Sequence, residues 1–164
     1  MEIRAHAQIQ RLRLFVGRKR TLTLIWLLQK VSTRQMNERI RSFRDLDVWQ
    51  AGMELVVSIY QLVEQLPATE RFELSAQMRR AVVSVPSNVA EGHAFRTLPK
   101  MYRRHIRIAL GSLAELETQV DVAQRLRMVD EPAIQSVSRK LERTRQLLHG
   151  LLRALRAIKE QKPR

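Results

Sequence analysis

Three sets of side chains in this sequence could do chemistry. Ser84 and Ser87 flank Pro86 inside an apolar, helix-spaced run, and Glu91 follows four residues later. Four histidines, His6, His93, His105 and His149, are potential ligands or bases. Lys100, Arg103, Arg104 and Arg107 stand at i, i+3, i+4 and i+7, a spacing that stacks four cations on one side of a helix.

The serines make poor nucleophiles. A reactive hydroxyl needs a base held by a third group and an oxyanion pocket, and no recognisable set accompanies Ser84 or Ser87. Hydroxyls beside a helical proline more often bond backbone carbonyls or allow a second helix to approach closely. The histidines lack ligand spacing, and the paired Glu-x-x-His of bundle metal sites is absent. Glu115 and Glu117, two residues apart, do not share a helix face. No Gly-rich phosphate loop with its lysine occurs. The sequence therefore predicts no enzyme, no metal and no cofactor.

The cations are a different matter. Thirty Lys and Arg against sixteen Asp and Glu give a net charge of +14, which makes polyanions the expected partners and nucleic acid the first among them. Arg96 precedes the stripe at 100–107, and Arg139, Arg143 and Arg153 fall off the apolar line of the last helix. Such a surface binds phosphates by counterion release without reading bases. A solvated helix face has the same pattern, and the sequence alone leaves both open.

These groups must be positioned by helices. Few glycines, prolines and aromatics, with long runs of Leu, Ala, Arg, Gln and Glu, indicate an all-α protein of one domain. Zero cysteines exclude disulfides and fit a cytoplasmic setting. The apolar run at 21–28 is too short to span a bilayer, so no membrane segment is expected. Residues 1–41 carry ten basic and two acidic side chains and form an extension. It is either a basic arm that binds nucleic acid or sequence upstream of a true start near Met36. Residues 42–164 are expected to fold as the bundle.

Four amphipathic segments follow. The first has the line Leu46, Trp49, Met53, Val56, Tyr60, Val63, with Asp45 as N-cap and Leu66-Pro67 as its end. The second keeps Met78, Ala81, Val82, Val85 and Val89 in register through Pro86, which predicts a kinked helix closed by Gly92. Its other side carries Arg80, Ser84, Ser87 and Glu91, a candidate oligomer interface of small residues with ionic ends. The third starts near Thr97 to Pro99, with Thr97 as cap, and aligns Tyr102, Ile106, Ala109, Leu113, Leu116, Val120 and Ala123. The fourth starts at Asp130-Glu131-Pro132 and aligns Ile134, Val137, Leu141, Thr144, Leu148, Leu151, Leu155 and Ile158. Short connections then favour an antiparallel up-down-up-down four-helix bundle.

Several motifs occur in order: Phe43-Arg44-Asp45-Leu46-Asp47-Val48-Trp49, Leu66-Pro67 with Glu70-Arg71-Phe72, Gln77-Met78-Arg79-Arg80-Ala81, the segment 84–92, and Gly111-Ser112-Leu113-Ala114-Glu115-Leu116-Glu117. Together they resemble the bacterial four-helix-bundle family encoded within intervening sequences of large-subunit ribosomal RNA genes. The resemblance covers about 43–128 by motif and the fourth helix by pattern. It implies an antiparallel bundle assembled as a ring-like homopentamer. It also implies likeness in fold to the accessory variability determinant of diversity-generating retroelements, a basic pentamer that binds nucleic acid and a reverse transcriptase.

The function expected is thus a non-enzymatic, oligomeric bundle that binds RNA or DNA. Arg96, Lys100, Arg103, Arg104 and Arg107 are the leading phosphate contacts. The alternatives are an adaptor for a reverse transcriptase and a structural bundle whose charge only confers solubility.

Overall fold

The computed structural model describes residues 40–70 and 72–158. They form four helices, α1 (Asp47–Val63), α2 (Leu74–Ala94), α3 (Pro99–Arg125) and α4 (Glu131–Ala157), with short 3-10 turns at Phe43–Asp45 and Ala68–Glu70. Among the described residues there is no strand, and no helix is long and apolar enough to cross a membrane. The protein is an all-α four-helix bundle. Nearly all of the extension 1–41, including Met36 and the apolar run at 21–28, lies outside the described residues.

Each helix packs on its sequence neighbours, and α1 packs on α4. The contacts join starts to ends. Arg79, early in α2, donates to Glu64 just past α1 at 2.9 Å. Gly92, late in α2, lies under Tyr102, early in α3. Arg103 of α3 reaches the Leu155 carbonyl of α4 at 3.2 Å. The Asp130 N–H, just before α4, donates to Gln65 Oε1 beyond α1 at 3.2 Å. Start-to-end meetings of this kind are what antiparallel neighbours make.

The core follows the helical periodicity of three of the four segments. All seven positions expected on α3, from Tyr102 to Ala123, are buried, as are Met78, Ala81, Val82, Val85 and Val89 on α2. On α4 the line holds from Ile134 to Leu148 and at Leu155. Leu152 rather than Leu151 fills the gap between them, and Ile158 lies exposed past the helix end. Thr144 is fully buried in this line and donates its hydroxyl to the Lys140 carbonyl at 2.8 Å, which removes the penalty of an unpaired buried hydroxyl.

The first helix buries a face rotated from the one expected. Val48, Ala51, Leu55, Ile59 and Leu62 are its buried line, and of the expected line only Leu46 and Val63, at its two ends, are buried. Met53 and Tyr60 are exposed. Both lines repeat at steps of three and four, so pitch could not choose between them. Packing does. Gly52 turns its bare backbone to Pro86 of α2, where a methyl would stand 3.4 Å from the proline Cβ, and Leu55 and Ile59 on the same side of α1 are fully buried. Fully burying each such side chain contributes about 1.5–3 kcal/mol.

The helix ends also differ in part from expectation. Asp130 caps α4, accepting from the Ala133 N–H at 2.9 Å, with Pro132 in the first turn. Asp45 does not cap α1. It closes a capping box with Ser42 around the preceding 3-10 turn, and Leu46 takes the N-cap position without a side-chain bond. Thr97 is likewise no cap, because α3 begins at Pro99 after Leu98. Gly92 does not end α2, which continues to Ala94. Glycine is required there by space: a Cβ would come within 2.6 Å of Tyr102 Cδ2 and 3.1 Å of His105 Cβ.

Candidate nucleic-acid interface

The starts of α1 and α3 and the ends of α2 and α4 meet at one end of the bundle. Arg96, Lys100, Arg104 and Arg107 are all exposed there. Among the described residues no carboxylate comes within ion-pair distance of Arg96, Arg104 or Arg107. Arg103 has turned inward. Its guanidinium satisfies one of the last carbonyls of α4 and places a cation at the negative end of that helix dipole, so it docks α3 to α4.

The candidate cations of α4 divide. Arg153, in its last turns, belongs to the same end as the stripe, whereas Arg139 near its start lies toward the other. Arg143, mid-helix, is 3.6 Å from Glu54. Five of the eight candidate phosphate contacts therefore share one exposed end: Arg96, Lys100, Arg104, Arg107 and Arg153.

Aromatic rings are set among these cations, which the spacing of charges did not signal. Phe43 and Trp49 meet edge to face at 5.4 Å, and the Arg44 guanidinium lies 4.5 Å from the Phe43 ring centre. Phe95, at the C-cap of α2, stacks on His105 with 5.5 Å between centroids and 11° between planes. His105 is itself held, with Nδ1 3.3 Å from Glu91 Oε2 and 3.4 Å from Asn88 Oδ1. Beneath them the buried His93 meets Tyr102 edge-on at 6.4 Å.

Burial, and then the Arg96 cation, hold His93 below its ordinary value near 6.5 against an opposing pull from Asp45. Burial pushes the Tyr102 hydroxyl up to about 12. Among the described residues that hydroxyl has no hydrogen-bond partner. Neither group is placed to act on a ligand.

The candidate oligomer set is not one free face. Ser84 turns toward α3 and shares a 2.8 Å hydrogen bond with Ser112, and Asn88 Nδ2 donates to the Ser84 hydroxyl and carbonyl at 3.1 and 2.9 Å. Glu91 faces His105. Ser87 donates to the Val83 carbonyl at 2.8 Å, so both hydroxyls beside Pro86 serve packing and backbone. Arg80 and Ser87 remain exposed beside Tyr60 and Val83, in a shallow depression. Met53, Val57 and Tyr60 of α1 and Val83 of α2 are apolar and exposed. The expected α1 line had placed Met53 and Tyr60 in the core.

Residues 44–150 match the family described as 23S rRNA-intervening sequence protein. The chain belongs to this family. The span of the 23S rRNA-intervening sequence family takes in the stripe from Arg96 to Arg107 and stops short of Arg153 and Leu155. A crystal structure from Bacteroides thetaiotaomicron, titled as a protein with unknown function from the S23 ribosomal protein family, superposes with a TM-score of 0.59. It is 20% identical and covers 65% of this chain and 95% of its own, a likeness of fold. No curated protein matches the chain.

Proposed function

We propose that this member of the 23S rRNA-intervening sequence family is a non-enzymatic, oligomeric bundle that binds nucleic acid, RNA foremost, by phosphate contacts at its cationic end. The observation that carries this is the exposure of Arg96, Arg104 and Arg107 together, with no carboxylate in ion-pair reach among the described residues. A phosphate there replaces counterions rather than breaking internal pairs. The family's name supports RNA as the polyanion. The use of Ser84 and Ser87 in packing and backbone bonds supports a binding role over a catalytic one. The exposed apolar residues Met53, Val57, Tyr60 and Val83 support self-association, for which a homopentamer is the stoichiometry the sequence resemblance implies.

The test is a salt series of RNA binding. Replacing Arg96, Arg104 and Arg107 by glutamine weakens binding to every sequence, and each lost contact lowers the logarithmic salt slope by about 0.7–0.9. Arg103 is left in place because it holds α4. Removing equal charge elsewhere, as Arg125→Gln, Arg127→Gln and Arg139→Gln, leaves affinity nearly unchanged. A first triple variant that melts normally and keeps the wild-type affinity and slope refutes the assignment. Light scattering of the same samples reads the oligomer, and a monomer at micromolar concentration refutes self-association.

A further inference from the structure

Phe95 is an apolar ring at the C-cap of α2 that packs in part and leaves the rest of its surface to solvent. It is 37% exposed, in a chain with few aromatics. Leu98, three residues on, is 54% exposed, and Arg96 lies between them. The connection that carries these residues is tied down: the Phe95 N–H donates to the Gly92 carbonyl at 3.0 Å, Arg96 to His93 at 3.1 Å and Leu98 to the Phe95 carbonyl at 2.8 Å. The ring itself lies flat on His105, which is fixed between Glu91 and Asn88. A rigid aromatic surface with cations around it has lost its side-chain freedom before any ligand arrives.

We infer that the cationic end takes an unpaired nucleotide strand, and that Phe95 is the ring on which one of its bases stacks. The inference rests on the nucleic-acid reading above and narrows it. A duplex offers phosphates but keeps its base faces inside the stack, so an exposed ring adds nothing to duplex binding. An unpaired base has a free face for Phe95, while Arg96, Arg104 and Arg107 take the flanking phosphates. Leu98 lines the same connection as an apolar neighbour. The edge-to-face pair Phe43 and Trp49, with Arg44 over Phe43, already satisfies its own rings and is not the platform.

The experiment uses the full chain and three labelled probes of equal length: an oligouridylate, an RNA duplex, and a sugar–phosphate strand without bases. Phe95→Leu keeps apolar volume and removes the ring, and Phe95→Trp restores one. Wild type binds the oligouridylate more tightly than the baseless strand. Phe95→Leu loses roughly five- to 150-fold for the oligouridylate, the range expected for one stacked base, with the salt slope unchanged and the other two probes unaffected. Phe95→Trp recovers the loss. Equal weakening of all three probes by Phe95→Leu would assign the ring to assembly or folding and overturn the inference, as would no change at all. If wild type binds the three probes alike and the arginine triple variant loses all three, phosphate binding stands and only the stacking platform falls. If wild type binds none, both fall.

Discussion

The cationic end and the ion-paired arginines elsewhere in the bundle use the same residue type in opposite ways. Away from that end, three arginines are matched by carboxylates, Arg79 by Glu64 at 2.9 Å, Arg143 by Glu54 at 3.6 Å, and Arg145 by both Glu117 and Glu142, while the exposed Arg80, Arg125, Arg127 and Arg139 have none in ion-pair reach among the described residues. At the cationic end Glu91 is engaged by His105, and Asp45 accepts from the Ser42 N–H at 2.8 Å. Exposed ion pairs contribute about 0–1 kcal/mol each, so the matched region gains little stability from its charges. What it gains is neutrality. The lesson is that a net charge of +14 does not by itself make an interface; the placement of acids decides where the positive field survives.

The sharpest way to break the contrast is to disturb the packing on which the cationic end is built. In Gly92→Ala the new methyl meets the Tyr102 ring at 2.6 Å and the His105 Cβ at 3.1 Å, and neither can retreat without moving α3 off α2. Overpacking of this kind costs about 1–3 kcal/mol. Gly111→Ala, in the exposed middle of α3 with nothing within 4 Å of the new methyl, instead gains about 0.8–1 kcal/mol from helix propensity. Thermal melting of the two variants reads the difference. If both shift the same way, the close approach at Gly92 is not what holds this end together.

Much of the bundle was legible before the structure. The α3 line from Tyr102 to Ala123 has a single apolar face, so period and phase coincide, and Asp130-Glu131-Pro132 is a start signal that leaves few alternatives. Met78 to Val89 could be read through Pro86 because the apolar spacing persists on both sides. The first helix was not legible in phase, since Met53, Val56 and Tyr60 form a second apolar line as regular as Val48, Leu55, Ile59 and Leu62. Tertiary packing distinguishes them, as where Gly52 meets Pro86, a contact across 34 residues of chain. The stripe at 100–107 was visible as a pattern, yet the inward turn of Arg103 depends on where α4 ends in space. Phe95 gave no signal, because a lone aromatic near a helix end becomes a platform only when His105 lies beneath it.

Acid sharpens the contrast next. The fold disfavours protonation of His93, while an unfolded chain takes up the proton near 6.5, so the unfolded state binds more protons as pH falls through that value. Stability at the cationic end is thus full above about pH 6.5 and is lost progressively below it, toward the depressed folded value. A window from about pH 7.5 to about pH 5 brackets this transition, and comparison with His93→Leu isolates the His93 contribution. Urea midpoints across this window fall for wild type and flatten in His93→Leu. A wild-type midpoint that does not move would show that His93 exchanges its proton without cost to the fold.

The smallest effect tests whether charge number or charge placement governs binding. Glu117→Gln removes one acid from the matched region and raises the net charge by one unit. Arg145 keeps its second partner, Glu142, one α4 turn earlier, and all three side chains are substantially exposed. The loss in stability is therefore about 0.2–1 kcal/mol, the range of an exposed pair. RNA affinity is the more telling readout. A contact surface confined to Arg96, Arg104 and Arg107 leaves affinity and salt slope unchanged, because the altered charge lies more than two α3 turns from the stripe and screening at physiological salt decays over about 8 Å. A rise in affinity and slope comparable to the loss from a single arginine of the stripe would mean that the whole surface acts as one diffuse field, and the distinction between the two regions would not hold.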